Sequence, residues 1–204
     1  MRARGQRELP FKSHGGPREG AGRPKGNRVP HAARARFEQP AVLLVTLRVA
    51  AHVWNLRSSR SWKVLRGCFA ASRGRFDVRL IHFAVLGNHL HLIVEAEDNE
   101  ALSRAMQGLL IRIAKALNRM MRSEGRVFAD HYHSRLLRTP TELVNAIGYV
   151  LRNHEHHYGE AGENRFISMM PAAQPLLCAP RTWLLRSGWR RAKYTPHWFR
   201  PPTG

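Results

Sequence analysis

Residues 76–97, which read FDVRLIHFAVLGNHLHLIVEAE, restrict the fold more than any other part of the chain. Two runs of apolar, β-branched and aromatic side chains flank Gly87 and Asn88, a pair typical of a tight turn. The segment therefore predicts a β-hairpin with strands over 76–86 and 89–97.

The sequence around this hairpin predicts further strands and helices. In chain order they are a strand over 41–49, a helix over 59–73, a helix over 99–123, a turn and fourth strand over 125–140, and a final helix over 141–158. We expect Asn99 and Thr141 to cap the last two helices. This order predicts an α+β, ferredoxin-like β-α-β-β-α-β fold: an antiparallel sheet with helices on one face and an added C-terminal helix. Strands one and three should lie at the centre.

The charge of the chain indicates its class of partner. Lys and Arg number 34 against 14 Asp and Glu, a formal net charge of +20. Such an excess attracts polyanions, and Arg, which outnumbers Lys, suits bidentate contacts to phosphate. A membrane surface is the alternative, but no long basic amphipathic helix stands out. Nucleic acid is therefore the favoured partner.

Three regions follow from composition. Residues 1–39 carry ten Lys and Arg against three Asp and Glu and predict a disordered basic tail, in which Arg23 and Lys25 of GAGRPKGNR are candidate DNA contacts. Residues 40–160 form the predicted domain. Residues 161–204 form a basic aromatic extension, which either stacks on single-stranded nucleic acid or packs back over the domain.

The sequence gives no sign of secretion or of membrane insertion. Cys68 and Cys178 lie far apart and outside any metal-binding spacing. The basic N-terminus lacks the apolar core of a signal peptide, and no run of apolar residues approaches the length of a membrane span. A cytoplasmic protein is expected, associated with the nucleoid when bound to DNA.

His89 and His91 suggest a metal site. Side chains at positions i and i+2 of a strand emerge on one face as neighbours, where two imidazoles can bind one divalent metal. On the final helix Tyr149 and Asn153 lie one turn apart on one face. An amide oxygen suits Mg²⁺ or Mn²⁺, and a tyrosine beside such a metal is a candidate nucleophile toward phosphate.

Three segments of the chain, in this order, resemble the single-tyrosine HUH transposases, and the REP-associated tyrosine transposases in particular. Leu-Val-Thr-Leu-Arg at 44–48 is similar to their first-strand motif His-Val-Thr-x-Arg. GNHLHLIVEAE at 87–97 resembles their Asn-His-hydrophobic-His strand. GRVFADHYHSRLLRTPTELVNAIGYVLRN at 125–153 resembles the strand and helix that carry Tyr-x-x-x-Asn. Departures are Leu44 for the first-strand His and Gly87 for the usual Pro.

The resemblance implies a DNA transposase. Tyr149 would attack a phosphate of single-stranded DNA and form a 5′-phosphotyrosine, while His89, His91 and Asn153 would bind Mg²⁺ or Mn²⁺. The substrate implied is a hairpin at repetitive palindromic elements. The family includes dimers and monomers, which leaves a homodimer open.

Other residues receive weaker expectations. Arg48 and Arg135 are candidate DNA contacts from strands, and Glu95 is expected to end its strand in solvent. Two alternatives stay open for the function: a catalytically silent DNA-binding protein of the same fold, and an RNA-binding module. The RNA-binding version of this fold needs exposed aromatic residues on its central strands, and 41–49 has none.

Overall fold

A computed structural model of the chain describes residues 36–158, 164–196 and Phe199, and of 154–158 it describes the backbone alone. The elements in chain order are β1 (Ala41–Arg48), α1 (Ser59–Ser72), β2 (Val78–Val85), β3 (His89–Ala96), α2 (Asn99–Met121), β4 (His133–Leu137), α3 (Pro140–Tyr158) and α4 (Trp183–Arg186), with 3-10 turns at Pro171–Leu176 and Gly188–Arg191. The predicted order of strands and helices is confirmed. The predicted contacts Arg23 and Lys25 lie outside the described residues.

The four strands form one antiparallel sheet in the order β2-β3-β1-β4. Strands β1 and β3 are central, as predicted. The backbone N–H of Leu86 donates to the carbonyl of His89 at 2.9 Å, which closes the two-residue turn of the β2–β3 hairpin. None of the helices in the described part of the chain is both long and apolar enough to cross a membrane.

Helices cover both faces of the sheet. On one face, called the α1–α2 face, alternate strand residues such as Leu43, Phe83 and Leu92 pack against the apolar stripes of α1 and α2. On the other, called the α3 face, Val42 and Ile93 pack against α3 and α4. The period of two along each strand thus sends one set of side chains to each helical layer. His89 and His91 share the parity of Ile93 and so lie on the α3 face.

The helix starts correct two predictions. Helix α2 is capped by Asp98, whose carboxylate accepts from the N–H of Ala101 at 2.7 Å, and not by Asn99. At α3 the hydroxyl of Thr139, not of Thr141, accepts from the N–H of Glu142 at 3.2 Å. The carboxylate of Glu142 in turn accepts from the N–H of Thr139, which completes a capping box. Pro140 takes the first helical position.

The expectation that Glu95 ends its strand in solvent is wrong. Only 3% of Glu95 is exposed, and both carboxylate oxygens accept from the backbone N–H of Arg181, at 3.0 and 2.9 Å. A third bond comes from the N–H of Thr182. The carboxylate thereby ties the C-terminal residues to β3, since a buried charge requires such partners.

Candidate functional site

The two imidazoles predicted to bind metal are neighbours on β3. The ring centroids of His89 and His91 lie 4.8 Å apart in an edge-to-face arrangement. His91 is buried, with 3% of its surface exposed, whereas His89 is half-buried near the hairpin turn. The pair lies at the hairpin end of the α3 face, opposite Arg48 and Thr46 of β1.

Nδ1 of each imidazole ring is hydrogen-bonded to a side-chain oxygen. Nδ1 of His89 lies 2.7 Å from Oδ1 of Asn88, and Nδ1 of His91 lies 3.0 Å from Oγ1 of Thr46. An amide oxygen only accepts, so with the Asn88 amide in this orientation Nδ1 of His89 carries the proton and the lone pair of the ring is on Nε2. The same tautomer follows for His91 when the Thr46 oxygen accepts. Fixing Nδ1–H in this way is the usual outer support of a metal-binding histidine.

The predicted nucleophile reaches this pair from α3. Oη of Tyr149 lies 3.3 Å from Nε2 of His91, and the two ring centroids are 4.9 Å apart. About half of Tyr149, 48%, is exposed, so the side chain borders solvent. Nε2 has one lone pair in the plane of the ring, which can serve the phenol or a metal but not both. Metal binding at His91 would therefore release the hydroxyl of Tyr149.

Asn153 lies one helical turn beyond Tyr149. Both side chains line a cavity of about 430 Å³ whose rim includes Asn145, Arg152 and Pro196. Asn153 is buried, and its Nδ2 has no hydrogen-bond partner among the described residues. Turning the amide over would place the oxygen there as an acceptor, so the site can offer a cation a neutral oxygen.

The donor set fits a divalent metal only when Asn153 is counted. Among the described residues, no three His, Cys, Asp or Glu side chains converge on one point. Two imidazole nitrogens and one amide oxygen form a mixed set. It suits Mn²⁺ better than Mg²⁺, because imidazole is a softer ligand than the oxygen ligands that Mg²⁺ prefers. Such a set supplies three ligands, and the remaining positions of an ion would be left to water or phosphate.

The two predicted strand arginines occupy different surroundings. Arg48 is exposed and pairs in register with His89, so it lies beside the imidazoles on the α3 face. Arg135 is also exposed, but its guanidinium is 3.8 Å from the carboxylate of Glu142. The pKa of Glu142 is lowered mainly by the hydrogen bond from the backbone N–H of Arg138, and the nearby charge of Arg135 lowers it further. Arg48 is thus the better placed of the two to meet a phosphate at the site.

Sequence reasoning missed the residues that support the imidazoles. Thr46 contacts His91 only because β1 pairs with β3 in a register that places them opposite each other, which the sequence does not reveal. Asn88 had a signal, since it directly precedes His89. His133, at the start of β4, is exposed and pairs with Thr46 on the side away from β3.

Comparisons with known proteins show the fold. The structure is similar to a REP-associated tyrosine transposase bound to a REP hairpin, with a TM-score of 0.57 and 12% sequence identity over 75% of this chain and 93% of that chain. A Deinococcus radiodurans R1 protein with a provisional assignment as a transposase gives a TM-score of 0.42 and 10% identity over 64% of this chain and 100% of that one, too distant to carry an argument. No family model and no curated protein matches the sequence.

Proposed function

We propose that this chain is a DNA transposase that cuts and rejoins single-stranded DNA through Tyr149. The observation that carries the proposal is the contact between Oη of Tyr149 and Nε2 of His91. It joins the last long helix to the imidazole pair on a central strand, in a fold shared with a tyrosine transposase. The sequence motifs that suggested this family lie on the same elements.

The reaction follows from the chemistry of the phenol. Oη of Tyr149 attacks the phosphorus of a phosphodiester, a new O–P bond forms, and the bond to the 3′ oxygen breaks. The phenolic proton leaves to water, and the departing 3′ oxygen takes a proton from water. The products are a 5′-phosphotyrosine and a free 3′-hydroxyl. Attack by another 3′-hydroxyl reverses the step, so strand transfer needs no external energy source.

Nε2 of His89, Nε2 of His91 and an oxygen of Asn153 would hold Mg²⁺ or Mn²⁺. When bound, the ion orients the phosphate and draws charge from its oxygens. Thr46 and Asn88 keep both rings in the tautomer that leaves Nε2 unprotonated. With Nε2 of His91 engaged by the ion, the hydroxyl of Tyr149 would be released from its contact with His91 for attack on the phosphate.

Single-stranded or hairpin DNA is the proposed substrate. The net charge of +20 suits any nucleic acid, and the similar transposase structure holds a REP hairpin. An RNA-binding module of this fold uses an open sheet face with aromatic side chains. Here α3 and α4 cover the face that carries His91, and β1 and β3 have no aromatic residue, which disfavours that alternative.

One observation favours a second function, DNA binding without cleavage. The proposed ligand set includes no carboxylate, and its third member is a neutral amide. A site of this kind binds Mg²⁺ weakly, so a chain that retains DNA recognition could have little activity. The two functions differ only in whether a covalent protein–DNA adduct forms.

The test is adduct formation on labelled single-stranded hairpin DNA with Mn²⁺, read on a denaturing gel. The wild type should yield a protein-linked 5′ end, and Tyr149→Phe should yield none while its Kd for DNA stays within about twofold, because only the nucleophilic oxygen is lost. Tyr158→Phe is the matched control and should react like the wild type. An adduct with Tyr149→Phe would reassign the nucleophile, and no adduct with any variant would favour DNA binding alone.

A further inference from the structure

The C-terminal residues follow α3 toward the site. The backbone N–H of Lys193 donates to Oγ1 of Thr141 at 3.3 Å, close to the start of the helix. Three residues later, Pro196 borders the cavity that holds Tyr149 and Asn153. Twelve residues separate Thr141 from Asn153, about 18 Å along a helix axis. Residues 183–196, called the C-terminal strip, thus lie beside α3 and lead to the cavity.

The aromatic residues of this region divide into two groups. Trp189 and Phe199 pack on each other with ring centroids 5.3 Å apart, and Phe199 is buried in the core of the α3 face. Trp183 and Tyr194 point outward instead, with 53% and 69% of their surfaces exposed. Packing over the domain, one of the two roles considered for the extension, is thus seen for Trp189 and Phe199, while Trp183 and Tyr194 are left exposed. Trp198 lies outside the described residues.

The surface of the C-terminal strip is cationic. Its exposed charged side chains are Arg186, Arg190, Arg191 and Lys193. No Asp or Glu occurs after Glu163 in the sequence, so no carboxylate of the strip itself offsets these charges. The guanidinium of Arg191 lies 5.5 Å from the ring centroid of Trp183, which pairs a cation with an exposed aromatic surface.

Trp183 is held in place although it is exposed. A Cβ at Gly188 would lie only 2.8 Å from Cζ3 of the indole, so the ring rests directly on the glycine backbone. A large exposed ring that is already fixed loses little conformational entropy when it binds a ligand. The glycine therefore makes the indole a preformed stacking surface.

We propose that the C-terminal strip binds single-stranded DNA beside the site, with Arg191 and Lys193 on phosphates and Trp183 and Tyr194 on bases. The inference rests on the proposed function, since it adds a track for the strand that Tyr149 would cut. Exposed aromatic rings alternating with cations are the pattern of sequence-tolerant single-strand binding. Duplex DNA fits less well because its bases already stack on each other.

The test measures Kd for single-stranded and duplex DNA of one sequence, in a Tyr149→Phe background so that binding is read without chemistry. Tyr194→Ala should raise the single-strand Kd about fivefold and leave the duplex Kd unchanged. Lys193→Gln should reduce the slope of log K against log salt by about 0.7 on the single strand. Ile111→Ala and Lys115→Gln, exposed on α2 across the sheet, are the matched controls and should bind like the parent.

Each other outcome decides the proposal. Parental affinity and slope in both strip variants would overturn it, and so would an equal loss on duplex DNA. Tighter binding of the same sequence as RNA, lost in Tyr194→Ala, would overturn the choice of DNA. If the wild type forms no adduct but Tyr194→Ala still weakens single-strand binding, the proposed function fails and the track stands. If the adduct forms and the strip variants bind DNA like the parent, the proposed function stands and the track along the C-terminal strip fails.

Discussion

Thr46 and His91 face each other across the β1–β3 pair, and the Thr46 hydroxyl lies 3.0 Å from Nδ1 of the imidazole. The bond connects the two central strands at the point where His91 meets Tyr149. When the Thr46 oxygen accepts in this bond, Nδ1 of His91 carries the proton. A residue outside the proposed ligand set therefore supports the orientation of the proposed ligand.

Thr46→Val should weaken Mn²⁺ binding about tenfold, because the isosteric side chain removes the acceptor that fixes the His91 tautomer. Thr46→Ser keeps the hydroxyl and should bind Mn²⁺ like the wild type. Isothermal titration with Mn²⁺, with thermal unfolding as the check on folding, measures both. Equal Mn²⁺ affinity in Thr46→Val would show that the Nδ1 bond is not needed.

His82 should make the stability of the protein depend on pH. Burial lowers the pKa of this imidazole from 6.5 to about 4, so between these values the unfolded chain takes up a proton that the folded chain does not. Its contribution to stability is complete above pH 6.5 and falls as the pH drops toward 4. At pH 5 the loss is about 2 kcal/mol.

Urea unfolding at pH 7 and pH 5 measures this loss. His82→Asn, which can still reach the hydroxyl of Ser168, removes the titrating group and should lose correspondingly less stability over the same interval. Identical pH dependence in the wild type and the variant would contradict the assignment.

Glu95→Ala should destabilise the protein by about 3 kcal/mol, because it leaves the backbone N–H groups of Arg181 and Thr182 without their acceptor. Urea unfolding measures the loss, and limited proteolysis should cut the residues after Arg181 sooner. Glu100→Ala is the control, since that exposed carboxylate pairs with Arg104 one turn along α2, and its loss should cost about 0.5 kcal/mol or less. Equal stability of the two variants would deny Glu95 its anchoring role.

Deleting residues 1–35 should weaken DNA binding and flatten its dependence on salt. The deletion removes nine of the 34 Lys and Arg, and each phosphate contact adds to the salt slope through counterion release. It stops before Phe37, which packs in the core of the α1–α2 face. Binding isotherms at several salt concentrations measure the slope, with the nine residues changed to Gln as a second variant. An unchanged slope would mean that these residues do not touch DNA.

Elements with a strong period could be predicted from the sequence. The hairpin was evident because apolar β-branched residues surround a two-residue turn, and α2 because Leu102, Met106, Leu109 and Ile113 recur on one side. The element order then determined that β1 and β3 are central. Local periodicity carries this information because each element buries one face.

Long-range contacts could not be predicted in this way. The sequence placed His91 on a central strand but did not tell which face it occupies, and it gave no partner for its Nδ1. Glu95 looked like a solvent-exposed strand end because its hydrogen-bond donors, the N–H groups of Arg181 and Thr182, lie more than 80 residues away in the chain. Register and docking of the C-terminal strip depend on such pairings, which a local pattern does not contain.

The start of α3 has a consequence for how such chains can vary in length. Thr139 and Glu142 fix the first turn two residues after β4 ends, and Tyr149 follows two and a half turns later. One added residue between Thr139 and Tyr149 would rotate the phenol by about 100° around the helix, away from His91. The number of residues between Thr139 and Tyr149 therefore matters more than their identity. Substitutions there can be tolerated, but an insertion or deletion would move the proposed nucleophile away from His91 without changing any residue of the site.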